Sequence, residues 1–201
     1  MRPIFVILVA LLASPAAADD ATPAPSVRVR GTIEHVSGDA MIILTRDGQH
    51  QTVLIGTDTK IGALRLLTLA DVHEGDFIGT AAVKGSDGHL RALEVTVLPE
   101  AMRGAGEGHY PWDTGPDSSM TNATVAEVAG NADGRTLQLK YKGGEATVDV
   151  PAGTPIVAPM PGDASMLIVG KAAIAFARQG PDGKLTAAYV SVEKDGVKPP
   201  M

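Results

Sequence analysis

Apolar and polar positions alternate through Val27-Arg28-Val29-Arg30-Gly31-Thr32-Ile33, which is the period of a strand with one face buried. Ser37-Gly38-Asp39 then predicts a turn into the apolar run Met41 to Leu44. Asp47-Gly48 is a hairpin signal leading into Thr52-Val53-Leu54-Ile55. The same order returns later in the chain: Thr124 to Val128, a turn at Gly130 to Gly134, Leu137 to Tyr141, Gly143-Gly144, and Thr147 to Val150. Two further segments are more alike still. Asp76 to Val97 reads DFIGTAAVKGSDGHLRALEVTV, and Lys171 to Val192, 95 residues on, reads KAAIAFARQGPDGKLTAAYVSV. Both keep a Gly-x-Asp-Gly turn feeding an alternating strand. The chain therefore carries one five-stranded unit twice. The first turn of the second copy is three residues longer, which raises the offset from 92 to 95 and fits an exposed loop.

Between the third and fourth strands, Leu64 to Val72 (LRLLTLADV) is rich in helix formers and predicts a short helix. Pro155, Pro159 and Pro161 forbid a regular helix in the matching stretch. Five strands with an insert after the third is the order of an OB-type barrel, with a small β-sandwich as the rival arrangement. The expected fold is thus all-β: two tandem OB-like five-stranded Greek-key barrels related by internal duplication. They are placed at residues 27–98 and 122–194. A unit of about 70 residues buries only about 60% of its surface, so the two are expected to pack together with pseudo-twofold symmetry.

The remaining segments read differently. Residues 1–18 form an export signal, with Arg2, the apolar run Ile4 to Leu12, and Ala16-Ala17-Ala18 before the expected cleavage point. That run is shorter than the roughly 20 residues a membrane-spanning helix needs, and no later segment is a candidate span. The mature product is expected in a bacterial periplasm. Residues 19–26 form a Pro- and Ala-rich leader, 99–121 a Gly- and Pro-rich connector, and 195–201 a polar tail.

Composition narrows the function classes. The chain has no Cys, which excludes disulfides, thiolate metal sites and thiol nucleophiles. With 17 basic against 23 acidic residues and no basic cluster, it lacks the footprint of a nucleic-acid binder. Aromatic residues make up only 3%. The connector nevertheless holds the single Trp, in Met102-Arg103-Gly104-Ala105-Gly106-Glu107-Gly108-His109-Tyr110-Pro111-Trp112-Asp113. Tyr110 and Trp112 are expected to pin this segment between the barrels, because such side chains combine large apolar area with a polar handle. With Arg103 and Glu107 they form the candidate ligand- or partner-binding set.

His109 and Asp113, with the thioethers of Met102 and Met120, form a candidate metal set. Soft sulfur ligands point to copper as the ion. No paired-His or Met-rich repeat accompanies them, and His35, His50, His73 and His89 have no His counterpart in the second copy. A hydrolytic triad of Ser118, His109 and Asp113 lacks a Gly-x-Ser-x-Gly elbow, and no enzymatic activity is expected.

The string G-T-(I/V)-x-x-V, a hairpin, a Gly-Asp turn and D-G-x-L-x-A-x-x-V resembles a bacterial family of small secreted OB-like domains with no assigned function. The resemblance covers residues 31–97 well and 124–192 more loosely. The connector from Arg103 to Asp113, Met120-Thr121-Asn122 and the Pro199-Pro200-Met201 tail are similar to a set of alphaproteobacterial exported proteins, some of them labelled in connection with metal transport. The resemblance implies fold and compartment, and no activity. The expected function is that of a non-enzymatic periplasmic binding or adaptor protein recognising a protein or small ligand, without a cofactor. The alternative is a periplasmic copper-handling protein built on the connector His and Met residues.

Overall fold

The computed structural model describes residues 26–85, 87–131 and 134–200, so the expected export signal and most of the leader lie outside the described residues. Twelve strands carry the described chain: β1 (Ser26–Ser37), β2 (Ala40–Thr45), β3 (His50–Leu67), β4 (Phe77–Lys84), β5 (Leu90–Val97), β6 (Gly108–Pro111), β7 (Ser118–Asn131), β8 (Gly134–Tyr141), β9 (Gly144–Pro151), β10 (Ile156–Pro161), β11 (Ala172–Gln179) and β12 (Leu185–Val192). Helix among the described residues is confined to three single 3₁₀ turns. The all-β expectation holds.

The pairing departs from a tandem arrangement. β1 pairs with β2 and β2 with β3, as expected within the first unit. The ring is then closed by strands of the second unit. β12 lies parallel to β3, β11 antiparallel to β12, and β1 antiparallel to β11. The converse ring takes β7, β8 and β9 from the second unit and β4 and β5 from the first. Each ring thus joins three strands of one copy to two of the other. Residues 27–98 and 122–194 do not each close on themselves.

Packing follows the pairing. One buried cluster combines Val29, Ile33, Met41, Ile43 and Val53 with Ala173, Ala175, Leu185, Val190 and Val192. The other combines Val72, Ile78 and Val95 with Val125, Leu137, Leu139, Val148, Val150 and Ile156. Alternation explains the membership, since successive strand residues face opposite sides and every second one enters a core. The crossover is anchored at equivalent positions. Val72, just past the first 3₁₀ turn, is buried in the second cluster, and Leu167, 95 residues on, is buried in the first. Gly75 and Gly170, both near φ 88, donate backbone hydrogen bonds across the exchange to Val125 and Ile33.

A shift of 95 residues carries one parallel seam onto the other. Val53 stands opposite Leu185 and Ile61 opposite Val190; Val148 stands opposite Leu90 and Ile156 opposite Val95. The repeated Gly-x-Asp-Gly turns also coincide. In each, the Asp side chain accepts from the backbone two residues on, and the following glycine sits at φ 87 or 78. That region favours glycine, which accounts for the motif.

The helix expected from Leu64 to Val72 is not formed. β3 runs on to Leu67 and pairs antiparallel with β10, leaving only a 3₁₀ turn at Leu69–Asp71. Ala63 and Leu64 are buried in that pairing, so tertiary contact overrides a modest helix preference. Leu64 stands opposite Pro159, its own 95-residue counterpart, which places the pseudo-twofold axis through that pair.

Candidate functional site

A partly enclosed, largely apolar cavity of about 550 Å³ lies on this axis. Leu64 and Pro159 both line it, as do the related pairs Gly79 and Ile174, Ala81 and Phe176, Glu94 and Tyr189, and Thr96 and Ser191. The lining residues of β4, β5, β11 and β12 come from the faces turned away from the ring cores, so each ring covers the other. The connector adds Met102, Ala105, Tyr110 and Trp112, and the tail adds Pro199 and Pro200. A second cavity of about 570 Å³, lined by Leu66, Leu93, Glu94, Thr114 and the tail from Asp195 to Pro200, shares Glu94 with the first.

The connector is held by specific contacts. Glycines at φ 82 (Gly104), 59 (Gly106) and 141 (Gly108) turn the chain into β6, which adds to β7 as the first arm of a hairpin. Trp112 N–H donates to Ser118 O, and the buried Ser118 hydroxyl lies 2.9 Å from Trp112 O and 2.8 Å from Gly115 O, closing the hairpin loop. Asn122 Nδ2 donates to Gly106 O and to the Tyr110 hydroxyl. The Trp112 ring packs edge-on to Tyr110 at 6.1 Å and lies 4.1 Å from the Arg28 guanidinium, a cation–π arrangement.

The tail repeats the start of the connector. Asn122 Nδ2 reaches Ala105 O at 3.4 Å, and its counterpart Arg30 reaches Pro200 O, the counterpart of Ala105 O, at 3.3 Å. Arg30 is buried and also donates to Asp113 Oδ2 at 2.6 Å, while Arg28 donates to the same oxygen at 2.9 Å. Burial pushes the Asp113 carboxyl upward, but the two guanidinium hydrogen bonds outweigh it and hold its pKa below the ordinary value. Nothing comparable steadies Glu94. That side chain is 8% exposed and takes one side-chain hydrogen bond, from Thr96 Oγ1 at 3.1 Å, and burial pushes its pKa up to about 7.

No family profile, curated protein or solved structure matches the chain.

Of the residues singled out in the sequence, the structure gathers Tyr110, Trp112, Met102 and Met120 on the cavity. The other four lie elsewhere. His109 is exposed, with Nδ1 2.9 Å from Thr121 Oγ1 and its ring near that of Tyr141. Asp113 belongs to the arginine pair and lies in the bend beyond the end of β6. Glu107 accepts from Lys142 N–H, and Arg103 holds Glu100 and Gly75 O. The candidate copper set is thus spread over different neighbours. Among the described residues no three His, Cys, Asp or Glu side chains form a group able to share an ion.

Sequence reasoning missed Glu94, Arg30, Phe176, Tyr189 and Ser191, all of which line the cavity. A signal was present in the aligned copies. Glu94 faces Tyr189 across the axis and Ala81 faces Phe176, so the two walls differ where the underlying strands agree.

Proposed function

We propose that this chain is a non-enzymatic binding protein of the bacterial periplasm, built from two strand-exchanged OB-type barrels that hold a small, largely apolar ligand between them. The strand order of each ring, with its third strand parallel to its fifth, supports the OB-type assignment. One observation carries the binding reading. Four of the six aromatic side chains among the described residues, Tyr110, Trp112, Phe176 and Tyr189, line one cavity of about 550 Å³. Pockets for small molecules fall at roughly 300–1,000 Å³, with mostly apolar walls and a few fixed polar groups. Here the polar groups include Glu94, Arg30, Lys60, Thr96, Asn122 and the buried Ser191 hydroxyl.

The test is saturable binding of N-phenyl-1-naphthylamine, a neutral probe that brightens in apolar sites. One site per chain is expected, lost in Ala81→Phe, which places the larger side chain of the second copy on both walls. Met120→Trp provides an independent block from β7. Probe emission unchanged by both folded variants would place binding elsewhere and end this reading.

A further inference from the structure

We propose that the cavity's ligand is an apolar organic cation, an amine on an aromatic or hydrocarbon body, whose ammonium group sits against Glu94. This deepens the binding reading above and rests on it. Glu94 lies on β5 opposite Ala81 of β4, with the Thr80 hydroxyl donating to its backbone carbonyl, so its backbone is fixed by the ring. A carboxylate offers about four acceptor positions. Among the described residues only the Thr96 hydroxyl donates to one of them, and no basic side chain stands within ion-pair distance. A buried acid left this way either takes up a proton or finds a donor, and its raised pKa is the first of those outcomes.

The other charged groups on the cavity do not supply that donor. Arg30 is committed to Asp113 and Pro200 O, and Glu94 is the one acidic residue among those that line the cavity. Lys60 lines this cavity, and Asp195 and Lys198 line the neighbouring one, but none is hydrogen-bonded to Glu94. The remaining walls suit the body of such a ligand, since Tyr110, Phe176 and Tyr189 line the cavity beside Trp112, whose ring already lies 4.1 Å from the Arg28 guanidinium. The formal net charge of −6 adds a field that draws cations in. Because Glu94 is matched by Tyr189 across the axis, the charge is one-sided and gives the ligand a single orientation.

Calorimetric titration of the full chain with 1-naphthylmethylamine and its neutral isostere 1-naphthylmethanol tests this. At about pH 8 the amine and Glu94 are both charged. The amine is expected to bind at least about tenfold more tightly than the alcohol to the unaltered protein. That preference is expected to vanish in Glu94→Gln and to shrink in the unaltered protein as pH falls below about 7, where Glu94 takes up its proton. Equal binding of the two compounds, or an amine preference that survives in Glu94→Gln, overturns the cation assignment and leaves the cavity as a site for neutral ligands. Binding of neither compound, with the neutral naphthyl probe also excluded, overturns the cavity reading itself.

Discussion

In the first ring β3 is one continuous strand that pairs with β12 at seven positions, with a register shift between Ile55 and Lys60, whereas in the second ring the corresponding stretch is two strands, β9 and β10, each meeting β5 at two positions. The substitutions between the copies explain the contrast. Gly56, Lys60, Leu64 and Leu66 of β3 are matched by Pro151, Pro155, Pro159 and Pro161, and proline removes the N–H that a ladder needs. Yet both rings keep the same register and both enclose a buried cluster. The seam is therefore the tolerant part of the fold. The antiparallel hairpins and the exchange of the last two strands carry the topology, and the seam can be broken without undoing either ring.

The sharpest way to break the comparison is to cut it. If the rings depend on exchange, residues 26–106 and 107–200 prepared separately each lack two or three strands of both rings. Neither fragment alone should show a cooperative thermal transition, and an equimolar mixture should recover one, together with the Trp112 fluorescence of the intact chain. Two independently folding fragments would contradict the exchanged pairing.

A milder probe compares matched core positions. Ile43 and Leu139 are both fully buried, one in each cluster. Replacing either with Ala should cost roughly 3 kcal/mol. Because each half contributes strands to both rings, both variants should lower a single shared transition. Calorimetry that resolves two transitions, with only one moved by each variant, would make the rings independent.

The asymmetry across the axis predicts a pH effect. Glu94 has a pKa of about 7 in the folded protein against about 4.5 for a free side chain, so the folded state holds its proton more tightly. This group's contribution to stability is therefore greatest below about pH 4.5, declines as pH rises to about 7, and stays low above. Glu94→Gln should gain roughly 3 kcal/mol at about pH 8 and flatten that decline. Tyr189→Phe, at the matching position, should leave the profile over this range unchanged. Denaturant titrations at several pH values would show whether the decline is real.

The smallest effect concerns the connector. Asp113→Ala removes one of the two acceptors of the buried Arg30 while Pro200 O remains. A cost of about 2 kcal/mol is expected, within the range for a hydrogen bond to a charged group. The change should also alter Trp112 emission, since Arg28 loses its carboxylate beside that ring. Unchanged emission would mean that Trp112 is positioned by Tyr110 and the hairpin alone.

Strand positions and the duplication were legible because each depends on local periodicity and turn residues. Val27 to Ile33 and the Gly-x-Asp-Gly turns are clear examples. The exchange was not legible. Val72 and Leu167 look like ordinary apolar residues at the end of an insert, and nothing local says which ring they enter. Glu94 was hidden for a related reason. It alternates with Val95 and so reads as a solvent-facing polar position, until the second ring covers it. Tyr110 and Trp112 were found because large aromatic residues in a Gly-rich segment need somewhere apolar to go. His109 and Asp113 were linked only by nearness in sequence, but His109 lies on β6 against Thr121 and Asp113 lies beyond it against Arg28 and Arg30.

Interleaving also bears on how such a molecule could arise. A single unit of this kind is left with three strands on one side and two on the other, and only a twin can complete both. Two separate identical chains would meet that need as a swapped homodimer, with a true dyad where Leu64 and Pro159 now face each other. Fusing the twins into one polypeptide frees the central chamber from mirrored walls, so that an acid can stand on one side and a phenol on the other.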